Sequence, residues 1–135
     1  MEMTYDRLNT DELRGTTQAD YLIAFDAALR VVIADETVYT EPCFPVVELA
    51  RSLIIWLGNP VRGDFEFESM SIEEVGSVAL RRSPAGWTFE SAFQPGASTT
   101  PVDWAEIEQC CHRLVSRVEA DLTALGLDPG EVLKR

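Results

Sequence analysis

Asp64-Phe65-Glu66-Phe67-Glu68 is the stretch of the chain that comes nearest to a chemical site. Side chains two apart on a strand share a face, so Asp64, Glu66 and Glu68 point one way while Phe65 and Phe67 point the other. Carboxylates so arrayed suit a hard cation such as Mg²⁺ or Mn²⁺, and such an ion would serve phosphoryl hydrolysis. Same-face positions on one strand rarely converge on an ion without a ligand from another element, which leaves a solvated acidic face as the alternative. Glu73 and Glu74 continue the acidic run into the next turn. A hydrolytic set would also want a lysine or histidine nearby, and the chain offers only Lys134 in its tail and His112.

His112 is the sole histidine, so a multi-histidine zinc site is excluded. On a helix it flanks the apolar stripe with Glu108 one turn earlier, which predicts a surface side chain. Cys111 falls within that stripe and Cys110 nearer its edge, where partial exposure is expected. Cys110 and His112 are two apart on the same helix and point in different directions, so they make a poor nucleophile and base. Cys43, Cys110, Cys111 and His112 lack the loop-type spacing of a zinc site. No glycine-rich phosphate loop, G-x-S-x-G turn or dinucleotide fingerprint occurs. Trp56, Trp87 and Trp104 each adjoin an apolar run and read as core or core rim. We therefore expect no catalytic residue, no metal site and no cofactor.

The formal net charge of −12 is the strongest global signal. Nucleic-acid binding draws on Lys and Arg to neutralise phosphates, and nothing here exceeds the pair Arg81-Arg82, so no nucleic-acid partner is expected. An anionic membrane surface is disfavoured for the same reason. A basic protein would be steered towards such a chain. The odd cysteine count, with two adjacent, fits a reduced compartment, and no run approaches the roughly 20 apolar residues of a membrane span. These features predict a cytoplasmic protein.

The elements that must position the acids are organised around Val46 to Leu57, a nearly all-apolar helix bounded by Pro45 before it and Gly58-Asn59-Pro60 after it. Its polar residues Glu48, Arg51 and Ser52 fall on one side together with Ile55. Alternation predicts strands at Asp20 to Phe25, Leu29 to Ile33, Val38 to Thr40, Asp64 to Met70, Ser77 to Arg82 and Trp87 to Phe93. Ala34 to Thr37 and Ser83 to Gly86 supply hairpin turns. Asp103 with Glu106 caps a second helix, whose apolar stripe runs from Trp104 to Leu125 before Gly126. The expected fold is α+β, a two-layer sandwich with one mainly antiparallel sheet of about six strands in the order βββαβββα. Two amphipathic helices would pack on one face. Residues 1–19 read as a mobile polar lead-in, 20–126 as the single domain, and 127–135 as a short fraying tail.

Phe44-Pro45-Val46-Val47-Glu48-Leu49-Ala50, the later Trp56-Leu57, Phe65-Glu66-Phe67 and Gly86-Trp87 resemble small actinobacterial proteins built on an F-P-V-x-E-L-A … W-L helix. Those proteins look like the acidic immunity proteins that neutralise polymorphic toxins. The resemblance implies a non-enzymatic inhibitor that occludes a basic toxin or another basic protein. Asp64, Glu66, Glu68, Glu73 and Glu74 are the expected partner-binding residues. Two alternatives stand beside it. One is a metal-dependent hydrolase using the same strand acids. The other is a homo-oligomeric subunit, in the simplest case a homodimer, joined through Ile55 and an exposed tryptophan.

Overall fold

The structure is a computed structural model and describes residues 1–11, 13–94 and 99–134. In chain order the elements are β1 (Glu2–Asn9), α1 (Gln18–Ala24), β2 (Asp26–Ile33), β3 (Glu36–Phe44), α2 (Val46–Leu57), β4 (Phe65–Glu66), β5 (Ala79–Ser83), β6 (Gly86–Glu90), α3 (Trp104–Ala124) and α4 (Pro129–Val132). The α+β class and the strand number are as expected. The single sheet is not: among the described residues the strands form two antiparallel sheets of three, β1-β2-β3 and β4-β5-β6.

Two corrections fall at the start of the chain. Residues 1–19 are not a lead-in, because Glu2–Asn9 pairs with β2 from Glu2↔Val32 to Asn9↔Asp26 and buries Met3 and Tyr5. An irregularity between Asp6 and Asn9 interrupts the ladder, and there Arg7 takes a left-handed φ of 57°. The segment read as a first strand, Asp20 to Phe25, lies mostly in helix α1. Thr17 caps it: its hydroxyl accepts from Asp20 N at 3.2 Å while the Asp20 carboxylate accepts from Thr17 N at 3.0 Å. The Thr17 hydrogen bonds also hold the Asp20 carboxyl below its ordinary range. A reciprocal cap of this kind satisfies two orphan donors and decides a segment whose apolar pattern is ambiguous.

The β2–β3 hairpin turns on Ala34 and Asp35, both at positive φ (52° and 64°), the twist-matched two-residue geometry. Pro84 and Ala85 close the β5–β6 hairpin. Gly86 follows at φ 133°, where a Cβ would lie 2.7 Å from the Val102 carbonyl, so only glycine fits. That closeness admits the Trp87–Val102 bridge, N–H to O at 2.7 and 2.8 Å.

Helix α2 matches its expected span and buries Val46, Val47, Leu49, Ala50 and Leu53. Phe44 meets Phe67 with ring centroids 5.4 Å apart, and Tyr39 meets Phe89 at 5.7 Å, so aromatic pairs tie β3 to the residue just after β4 and to β6. Helix α3, capped by Asp103 on Glu106 N at 2.9 Å, buries Ile107, Cys111, Leu114, Val118 and Leu122. The tail does not fray: Val132 and Leu133 are buried, Gln18 Nε2 donates to the Val132 carbonyl at 3.1 Å, and Arg51 Nε donates to that of Lys134 at 2.9 Å. Among the described residues no helix is long and apolar enough to cross a membrane.

Cys110 is buried rather than partly exposed, and burial pushes its thiol up to about 11. Cys111 is raised further by the same cause, whereas Cys43 is exposed on β3. Because the thiolate is the reactive form, a disulfide reagent at mildly alkaline pH should titrate one thiol in the folded protein and all three after denaturation. Rapid reaction of a second thiol under native conditions would contradict this burial.

Candidate functional site

Helix α2 ends at Leu57, and the exit through residues 58–63 is pinned before the chain enters β4. Trp56 Nε1 donates to the Gly63 carbonyl at 2.9 Å, and Arg62 Nη1 donates to that of Leu57 at 3.0 Å. The Arg62 guanidinium also lies 4.2 Å over the Trp104 ring, a cation–π contact. Trp56, Trp87 and Trp104 pack mutually at 5.4 to 5.6 Å, the first two buried and the third half-buried. They are core and rim, as their neighbours in the sequence suggest.

The strand carrying the acids is shorter than expected. Its pairing with β5 covers Phe65↔Leu80 and Glu66↔Ala79, and Phe67 N adds one bond to the Val78 carbonyl at 2.9 Å. The alternation itself holds: Phe65 and Phe67 are buried, and Asp64, Glu66 and Glu68 are exposed. The same register brings Arg81 of β5 among the carboxylates. Its guanidinium reaches Glu66 at 2.5 Å, Glu90 at 3.2 Å and Asp64 at 3.8 Å, and Asp64 also accepts from Arg82 N at 2.9 Å. The hydrogen bond it donates to Glu66 is the main reason the Arg81 guanidinium is held still more firmly protonated. These groups are part-exposed, so each pair is worth no more than about 1 kcal/mol. The electrostatic consequence is larger: a divalent cation at Asp64 and Glu66 would have to displace a resident guanidinium. Among the described residues no three of His, Cys, Asp and Glu are gathered to hold a metal ion.

Glu68, Glu73 and Glu74 make no hydrogen bond or ion pair among the described residues, and all three are exposed. A groove of about 410 Å³ runs between the last turns of α2 and β4, with Ile55 and Trp56 on the helix side and Asp64, Glu66 and Glu68 on the strand side. None of its lining residues is Lys, Arg or His. An apolar wall opposite the unpaired Glu68 carboxylate can accept a lysine or arginine side chain, the stem lying on Ile55 and the head meeting oxygen.

One residue of the site escaped sequence reasoning. Glu48, expected on the polar side of α2, is buried and accepts from Ser69 Oγ at 2.5 Å and from Met70 N at 2.8 Å. It anchors the loop that carries Glu73 and Glu74. A lone acid inside an apolar helix was the available signal, but only the returning loop supplies its donors.

A family model described as a domain of unknown function (DUF7878) matches residues 1–124 of the chain. No curated protein and no solved structure matches it.

Proposed function

Because the chain belongs to the DUF7878 family, a domain of unknown function, we propose its role from its own surface: a non-enzymatic binding protein that covers the basic face of another protein. The most concrete form is an immunity-type inhibitor of a basic toxin, in keeping with the resemblance carried by the α2 segment. The observation that carries this reading is the groove beside α2, where Arg81 partly neutralises Asp64 and Glu66 but leaves Glu68 unpaired among the described residues, in a chain of net charge −12. Asp64, Glu66, Glu68, Glu73 and Glu74 draw in Lys and Arg on the partner and speed encounter, and inhibition follows from occlusion. In this reading α2 and α3 form one layer behind the sheets, leaving the acidic face open. The protein works in the cytoplasm, where its three free cysteines stay reduced.

The test is capture of the partner from the cells that encode the chain, followed by binding isotherms at stepped ionic strength. A basic protein is expected, with affinity that falls as salt rises, is indifferent to chelator, and drops roughly tenfold or more in Glu66→Lys/Glu68→Lys, mainly through association rate. Binding unchanged by salt would sink the reading. So would a Mg²⁺-dependent hydrolysis lost in Glu66→Ala.

A further inference from the structure

We infer that residues 68–76 together with Phe93 form the affinity-bearing centre of the docking face, and that its occupant is a basic protein with an apolar patch ringed by Lys or Arg. This rests on the binding role proposed above and assigns its energetic core to the loop that leaves the acidic groove at Glu68, not to the groove itself.

The backbone of this segment is fixed at both ends. Glu48 holds Ser69 and Met70, Ser71 N donates to Ser69 Oγ at 2.9 Å, Gly76 N donates to the Phe67 carbonyl at 2.9 Å, and Ala92 N donates to the Gly76 carbonyl at 2.8 Å. That last bond joins the backbone positions next to Val75 and next to Phe93. The side chains so fixed face water: Met70 is 59% exposed, Val75 49% and Phe93 44%. Burying a carboxylate is costly, and here it orders a loop whose large apolar groups stay outside the core. A preordered apolar patch loses little entropy on binding, which is how the centre of an interface gains affinity.

The charges select the occupant. Glu68, Glu73 and Glu74 share the segment with Met70 and Val75, and no Lys or Arg occurs between residues 63 and 80. A two-fold contact with a second copy would set this face against itself and bring like charges together. A basic surface with an apolar centre reverses that repulsion and matches the apolar-core, charged-rim anatomy of specific interfaces.

The test places the photo-crosslinking residue p-benzoylphenylalanine at position 93, at position 55 in the acidic groove, and at exposed position 112 as control, in the full chain within its own cells. An adduct with a basic protein from position 93 and none from 112 is expected. With that protein purified, Met70→Ser/Val75→Ser/Phe93→Ser should raise Kd about 100-fold with unchanged salt dependence, as loss of apolar anchors does. An adduct from position 55 but none from 93 overturns this inference and leaves the binding role standing. A second copy of the chain, or an acidic protein, crosslinked at 93 overturns it as well. Silence at both 55 and 93 overturns the inference and the binding role together.

Discussion

A chain that begins at Thr10 is expected not to fold. Residues 1–9 contain β1, which supplies one of the two neighbours of the central strand β2. Met3 and Tyr5 are both buried, and burial of a large apolar side chain is worth about 1.5–3 kcal/mol. Tyr5 also donates its hydroxyl to Asp121 at 2.5 Å, and the Arg117 guanidinium lies 4.0 Å over its ring, so the truncation strips α3 of a polar and a cation–π contact together. Burial first, then the hydrogen bond to Asp121, pushes the Tyr5 phenol well above its ordinary range and keeps it protonated at any physiological pH. A domain stabilised by only about 5–15 kcal/mol overall cannot absorb these losses along with the ladder that β1 makes with β2. The exposed β2 edge would then template aggregation. Near-ultraviolet circular dichroism and urea titration measure the outcome. A truncated chain that unfolds at the full-length midpoint would show β1 to be dispensable.

Strand β1 also shows why part of the fold was illegible. Its outward positions carry Glu2 and Asp6, and its inward signal is Met3 and Tyr5 alone, too little alternation to distinguish a strand from a polar lead-in. In α1 the window from Tyr21 to Phe25 satisfies period two as readily as one helical turn. The capping pair Thr17 and Asp20, four residues and one residue ahead of Tyr21, held the answer. By contrast α2 was legible to its last residue, because proline, a mostly apolar run and a Gly-Asn-Pro exit leave one solution. The division into two sheets depends on which distant strands pair, and local patterning does not encode it. The site divides in the same way. Exposure of Asp64, Glu66 and Glu68 follows from alternation, whereas their partial neutralisation follows from the β4–β5 register that delivers Arg81.

Glu48→Ala should be the most damaging exchange at any polar position, costing about 3 kcal/mol. The carboxylate accepts two hydrogen bonds at 2.5 and 2.8 Å in a buried setting, and bonds to a charged acceptor contribute about 1.5–3 kcal/mol each. Alanine removes both and leaves the Met70 amide without an acceptor. Ser69→Ala removes one of the two bonds to Glu48, together with the exposed one that Ser69 Oγ accepts from Ser71 N, and keeps that of Met70, so its cost should be smaller than that of Glu48→Ala. The double variant should fall short of the sum, because both changes delete the same contact. Urea midpoints give the energies, and hydrogen exchange at the Met70 amide locates them. If exchange there is unchanged in Glu48→Ala, the carboxylate is not what holds the loop. Loop anchoring and partner affinity are then coupled in one direction: freeing residues 68–76 restores the entropy that the anchored loop had already given up. Binding should therefore weaken in Glu48→Ala even at temperatures where the rest of the fold is intact, although Glu48, being buried, would itself touch no partner.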